Sequence, residues 1–152
     1  MPGQFEGKVA FITGGAIGFG RAFGRALAER GAAVAIADID LPGAQSEVEA
    51  LVAAGHAAMA VECDVADEHQ VDAAVASVVS RLGGVDVLIN NAGKHLTKYN
   101  QPFSVLPRHE VRAVFDVNVI GVVNCSVACR DTMRARFCRS SSRTAWRASV
   151  SS

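Results

Sequence analysis

The chain has 152 residues, half of them apolar and 20% charged, with a formal net charge of zero. No apolar run approaches the ~20 residues of a membrane span, and the opening Met1-Pro2-Gly3-Gln4-Phe5-Glu6-Gly7-Lys8 lacks the charged and apolar regions of a secretory signal. A membrane partner is therefore not expected, and the composition suits a cytoplasmic enzyme core. Cys63, Cys125, Cys129 and Cys138 show no CxxC spacing, and His56, His69, His95 and His109 do not cluster. Cys125 and Cys129 share a helix face through their i, i+4 separation, which suits packing better than zinc ligation. A reducing compartment and no metal follow.

The first element is an apolar strand, Val9-Ala10-Phe11-Ile12, running into Thr13-Gly14-Gly15-Ala16-Ile17-Gly18-Phe19-Gly20. A helical pattern follows, with Phe19, Phe23, Ala26 and Leu27 as its apolar positions. Strand, glycine turn and helix place free backbone N–H groups and the positive end of a helix dipole against a phosphate. The glycines permit a tight turn, close approach to a pyrophosphate and close helix packing. A second strand, Ala33-Val34-Ala35-Ile36-Ala37, ends at Asp38. An acid about 20 residues past the glycines can accept hydrogen bonds from ribose hydroxyls. The same charge repels a 2′-phosphate, and no Arg or Lys lies in the turn or directly after Asp38, so NAD is preferred over NADP. A solvated strand-end acid is the alternative at this position.

Cys63-Asp64-Val65 closes a third strand. The following helix, with Val71, Val75, Val78, Val79 and Leu82 in helical period, is expected to face the sheet. A fourth strand, Val85 to Ile89, leads into Asn90-Asn91-Ala92-Gly93. A loop from Lys94 to Pro107, expected to be mobile, precedes a long helix from about Arg108, with Val111, Phe115, Asn118, Val122, Cys129 and Met133 near one face. Apolar strands each followed by a helix imply a parallel sheet covered on both faces.

These motifs, taken in order from residue 7 to about 134, resemble the short-chain dehydrogenase/reductase family. The turn T-G-x-x-x-G-x-G is matched by Thr13, Gly14, Gly18 and Gly20, with Ile17 inside it; N-N-A-G is matched by residues 90–93, and N-x-x-G by Asn118-Val119-Ile120-Gly121. The resemblance implies an α/β Rossmann-like sheet of strand order 3-2-1-4, ending here after the fourth strand and the long helix. It also implies NAD-linked interconversion of an alcohol and a carbonyl by hydride transfer. Asp64 and Val65 would lie against the adenine, Asn91, Ala92 and Gly93 would border the cofactor, and Asn118 would anchor a water in the proton relay. Relatives pair through the long helix, so a homo-oligomer is a possible assembly. Each motif has a plainer reading beside it: Asp64 as a helix cap, residues 90–93 as an ordinary loop, Asn118 as a satisfied polar residue.

The resemblance also implies a catalytic Ser and a Tyr-x-x-x-Lys pair after the long helix. The one tyrosine, Tyr99, precedes Asn118 and has Phe103 four positions later. Of the implied catalytic set only Asn118 is present, so the chain is expected to be inactive as written. Its end also changes character. Residues 1–131 carry 10 Lys/Arg and 15 Asp/Glu, net −5, whereas residues 132–152 carry 5 Arg and no acid, net +5. The expected division is a partial dinucleotide-binding domain over 1–135 and a basic Ser/Arg-rich tail over 136–152, disordered or read out of frame. Thr144-Ala145-Trp146-Arg147-Ala148, read two bases later, permits Ser-x-Ala-Gly, the family's sequence at its catalytic serine. Stopping here would leave the fourth strand as an exposed edge. Two functions stay open: an oxidoreductase represented by its cofactor half, or a non-catalytic nucleotide-binding or subunit-interaction protein. Nucleic-acid binding by the arginine tail is disfavoured, because only Phe137 and Trp146 interleave with its charges.

Overall fold

The computed structural model describes residues 3–95 and 102–150, with the backbone alone for residue 103 and residues 139–150. Tyr99 and most of the 94–107 loop therefore lie outside the described residues.

Four parallel strands form one sheet: β1 (Val9–Thr13), β2 (Ala33–Asp38), β3 (Ala58–Glu62) and β4 (Val87–Ile89), in the order β3-β2-β1-β4. The helices between them are α1 (Gly18–Ala28), α2 (Leu41–Ala53) and α3 (Glu68–Leu82). Beyond β4 come α4 (Arg108–Phe115), a π turn (Asp116–Ile120) and α5 (Gly121–Val150). Strand residues point alternately to opposite faces, so β1 divides its side chains between two cores. Phe11 joins Ala35, Met59, Val71 and Val78 on the side covered by α3 and α5, and Ile12 joins Val34, Ile36, Ala44 and Leu51 on the side of α1 and α2. Both cores are needed because a parallel sheet buries both faces.

The helix ends follow local chemistry. Asp40 caps α2 by accepting from Gly43 N at 3.1 Å, with Pro42 in the first turn where no N–H is missed. Asp67 caps α3, accepting from His69 N at 2.9 Å and Gln70 N at 3.3 Å. The Gln70 side chain adds a third bond at 3.0 Å, and these contacts hold the Asp67 carboxyl below the usual carboxylate range. Asp67 rather than Asp64 therefore does the capping. The α3 helix ends on Gly83 in the left-handed region, φ +85°.

Three helix faces differ from those expected. In α1, Phe19 and Phe23 are exposed at 79% and 44%, while Gly20, Gly24 and Ala28 are buried. Small residues spaced by four bring this helix close to the sheet, and the large apolar ones are left outside. In α3, Val71, Ala74, Val75 and Val78 are buried, but Val79 is exposed. On the long helix the buried positions are Gly121, Cys125 and Cys129, whereas Phe115 and Val122 are exposed. The π turn between α4 and α5 adds a residue to one turn and rotates everything after it, so a continuous 3.6-residue reading from Arg108 selects the wrong stripe. The combined helix Arg108–Cys138 is also long and apolar enough to cross a membrane by length and composition. In this fold it packs on the sheet, and its Asn118, Asn124, Thr132 and Arg136 all bond to the strand ends and turns.

Arg136 has a larger role than the start of a tail. Its Nη2 donates to Gly7 O at 2.8 Å, its Nη1 to Gly83 O at 3.2 Å, and its Nε lies 2.6 Å from Asp86 Oδ2. Asp86 also accepts from Val9 N at 2.9 Å and pairs with Lys8 at 3.4 Å. Burial alone would raise the Asp86 carboxyl; the Arg136 guanidinium, the Val9 N–H and Lys8 outweigh it and hold the group below its ordinary range.

Candidate functional site

The carboxyl ends of the strands converge on a cleft of about 510 Å³. Parallel sheets bind ligands at this end, where loops diverge from the strand tips. The glycine turn forms its floor. Gly14 and Gly18 adopt φ of +62° and +57°, the left-handed region that strains other residues. A Cβ on Gly14 would lie 2.8 Å from Ala92 Cα, and one on Gly20 would collide with the Gly14 carbonyl oxygen. Side chains at either position would therefore push the turn off the β4 end. At its start, α1 has no side-chain cap, so its first N–H groups stay available to an incoming acceptor.

Thr13 and Asn91 lock the two central strand ends together. The Thr13 hydroxyl oxygen accepts from Asn91 N and Ala92 N, each at 3.1 Å, and donates to Ile89 O at 3.4 Å. In return Asn91 Nδ2 donates to Thr13 O at 3.1 Å and to Gly14 O at 2.8 Å. Asp38, at the end of β2, accepts from Ala16 N and Asp40 N, each at 3.0 Å. Both carboxylate oxygens are thereby oriented, and each keeps acceptor capacity. Asp64 accepts from Ala66 N at 2.9 Å, and its own N–H donates to Gln70 Oε1 at 3.1 Å, which fixes the turn after β3.

Of the residues the sequence singles out, Gly14, Ile17, Asp38, Asp64, Val65, Asn91, Ala92 and Gly93 line the cleft. Thr13, Gly18 and Gly20 do not line it; they shape the turn beneath it. Asn118 is not on the lining either, but its side chain bonds to the backbone of Lys94, which is. Its Oδ1 accepts from Lys94 N at 2.7 Å and its Nδ2 donates to Lys94 O at 2.9 Å. Asn118 sits in the π turn, a distortion often found at functional positions. Sequence reasoning missed four lining residues: Ile39, Cys63, Lys94 and Val117. Each adjoins a recognised motif in the chain, and that adjacency was the available signal. Cys63 is buried beside Cys125 and Cys129. Burial chiefly raises these thiols, to about 12, about 12 and about 11 respectively, so none is a ready nucleophile. Among the described residues no group of His, Cys, Asp and Glu could hold a metal ion.

Comparison with known proteins places this cleft in context. The family model for short chain dehydrogenase matches residues 8–142. Galactitol 2-dehydrogenase of Agrobacterium fabrum is 39% identical over 133 residues, covering 88% of this chain and 50% of that protein. Sorbitol dehydrogenase of Cereibacter sphaeroides is 38% identical, covering 79% of this chain and 44% of its own length. The crystal structure of a short chain dehydrogenase/reductase from Burkholderia phymatum in complex with NAD superposes with a TM-score of 0.81 at 34% identity, over 88% of this chain and 46% of that one. The chain spans about half the length of the curated relatives it matches. With the family model covering most of its residues and the strand order and motifs in agreement, the chain belongs to the short chain dehydrogenase family.

Proposed function

We propose that this chain is the dinucleotide-binding part of an NAD-linked oxidoreductase, and that it holds the cofactor without itself turning over a substrate. The observation that carries this reading is the cradle at the strand tips. Gly14 and Gly20 leave space that a Cβ would fill, beside an uncapped helix start and an oriented acid, Asp38. The pyrophosphate would meet the N–H groups around Ile17 and Gly18, the adenosine ribose would bond Asp38, and Asp64 and Val65 would flank the adenine. Asn91, Ala92 and Gly93 would border the inner half of the cofactor. When bound, the nicotinamide accepts or donates a hydride. Asn118, tied to Lys94, is the one member of the implied catalytic set available here. The alcohol or carbonyl chemistry is therefore assigned to intact relatives, with a small-molecule substrate. Residues 1–135 form the binding unit in this reading and 136–152 a basic tail.

Asp38 decides the choice of cofactor, because its charge repels a 2′-phosphate. Titration of the purified chain with NADH and NADPH, followed by nicotinamide fluorescence, tests this. Saturable NADH binding is expected, with NADPH at least about tenfold weaker, a difference of roughly 1.4 kcal/mol. No NADH binding, or a preference for NADPH, would falsify the reading.

A second reading, subunit interaction, rests on the outer side of the long helix. Phe115, Val119, Val123 and Val127 follow one another at intervals of four and are 48–59% exposed. A stripe of this kind suits an apolar partner, a second copy included. Sedimentation of the purified chain tests it: a concentration-dependent dimer is expected, and a strict monomer at high concentration would remove it.

A further inference from the structure

The geometry points to Asn124 as a positioning residue for the adenine end of the cleft, acting through Val65. Asn124 lies on α5, and its Nδ2 donates to Val65 O at 3.0 Å, across 59 residues of sequence. One turn earlier, Gly121 meets the same residue: a Cβ there would lie 2.6 Å from Val65 Cγ2 and 3.0 Å from Val65 Cβ. Val65 is only 5% exposed and lines the cleft beside Asp64. The turn after β3 is thus held from two directions, by Gln70 at Asp64 N and by α5 at Val65.

The same helix holds the opposite wall. Asn118 bonds both backbone atoms of Lys94, beyond β4, and Asn124 bonds the chain beyond β3. These strands are at opposite edges of the sheet, so two asparagines on one helical segment fix the separation of two cleft walls. The π turn between them sets their relative angle, since a one-residue change there would swing Asn124 away from Val65. No other hydrogen bond to Val65 O is recorded among the described residues, and Asn124 is placed to satisfy this half-hidden carbonyl. Removing it leaves the Val65 turn free to shift, and the adenine contact with it.

The inference rests on the NAD reading above, and the test separates the two. The full-length chain is compared with Asn124→Ala and Asn124→Gln, together with Gly121→Ala, which displaces Val65 sterically and leaves Asn124 in place. NADH affinity is measured by fluorescence, and the exposure of the adenine by iodide quenching of bound etheno-NAD. Loss of one hydrogen bond at this carbonyl corresponds to a weakening of about fivefold. Asn124→Ala and Gly121→Ala are each expected to weaken NADH binding by about that factor and to make the bound etheno-adenine more quenchable. Asn124→Gln, which keeps the amide, is expected to recover part of both. A purely architectural role would lower affinity without altering quenching of the bound probe, and that result overturns the assignment. Unchanged affinity in folded Asn124→Ala, or in Gly121→Ala where the first does not fold, overturns it as well. If the unaltered chain binds neither NADH nor etheno-NAD, the NAD reading itself fails and this one with it.

Discussion

β1 and β4 pair with each other in register, Ala10 with Val87 through Ile12 with Ile89, and both are apolar. Yet every residue of β1 is buried and every residue of β4 is half-exposed. The difference lies in their neighbours. β1 has β2 on one side and β4 on the other, whereas β4 pairs only with β1 among the described residues. An apolar strand is thus not by itself a core strand; the sheet around it makes it one. The same contrast runs along α5, whose sheet side is closed by Gly121, Cys125 and Cys129 and whose outer side carries Val123 and Val127 in water.

Truncating equivalent positions on the two strands is the most severe test of this contrast. Phe11 is fully buried at the centre of β1, and Phe11→Ala is expected to cost about 3–5 kcal/mol in urea unfolding. That is a large share of the ~5–15 kcal/mol that holds a domain together. Its partner on β4 is Leu88, on the same face of the sheet. Because Leu88 is already partly wet, Leu88→Ala is expected to cost about 1–2 kcal/mol. Equal losses at the two sites would show that β4 is as enclosed as β1.

Arg136 gives the next largest effect, because it is the last described side chain that ties α5 to the sheet. Arg136→Leu removes two bonds to backbone carbonyls and the closest partner of the Asp86 carboxylate. Hydrogen bonds to charged groups contribute about 1.5–3 kcal/mol each in favourable cases, and a loss near the lower figure is expected, since Val9 N and Lys8 remain on Asp86. The pH dependence carries a definite sign. The Asp86 carboxyl is held below its ordinary range in the folded chain, so its contribution is full above the unfolded pKa of ~3.9. It is lost as pH falls through the folded value. Asp86→Asn should therefore be less stable than the parent at neutral pH, and the gap should close below about pH 4. A gap that persists unchanged into acid would mean that the carboxylate charge plays no part.

What could be read in the sequence was what is local in it. The turn at Thr13–Gly20, the acid at Asp38 and the run Asn90–Gly93 each lie within a few residues of the strand that positions them, so spacing alone placed them at one end of the sheet. The strand order also followed, because right-handed crossovers leave few alternatives. What was not legible depends on how distant segments pack. Asn124 reaches Val65 across 59 residues and Arg136 reaches Gly7 across 129, and neither pairing leaves a trace in local periodicity. The faces of α1 and α5 were misread for a related reason. Their contact residues are Gly20, Gly24, Ala28, Gly121 and Cys125, chosen for closeness to the sheet rather than for bulk, while Phe19, Phe23 and Phe115 draw the eye by hydrophobicity and lie outside.

The smallest expected effect on stability falls on the outer side of α5, and it is the most discriminating. Val127 is 57% exposed, with Val123 at 52% one turn before it. Neither belongs to the buried cores. Val127→Ser should therefore change the unfolding free energy by no more than about 0.5 kcal/mol, as surface substitutions do. Self-association should respond differently, because several exposed apolar side chains in one stripe act together on a partner. If this stripe is where copies meet, the double change Val123→Ser with Val127→Ser lowers the dimer fraction at fixed concentration and leaves the thermal midpoint of a dilute sample in place. A fall in midpoint under dilute conditions would instead put these valines inside the monomer's own core. The contrast drawn between the two sides of α5 would then not hold.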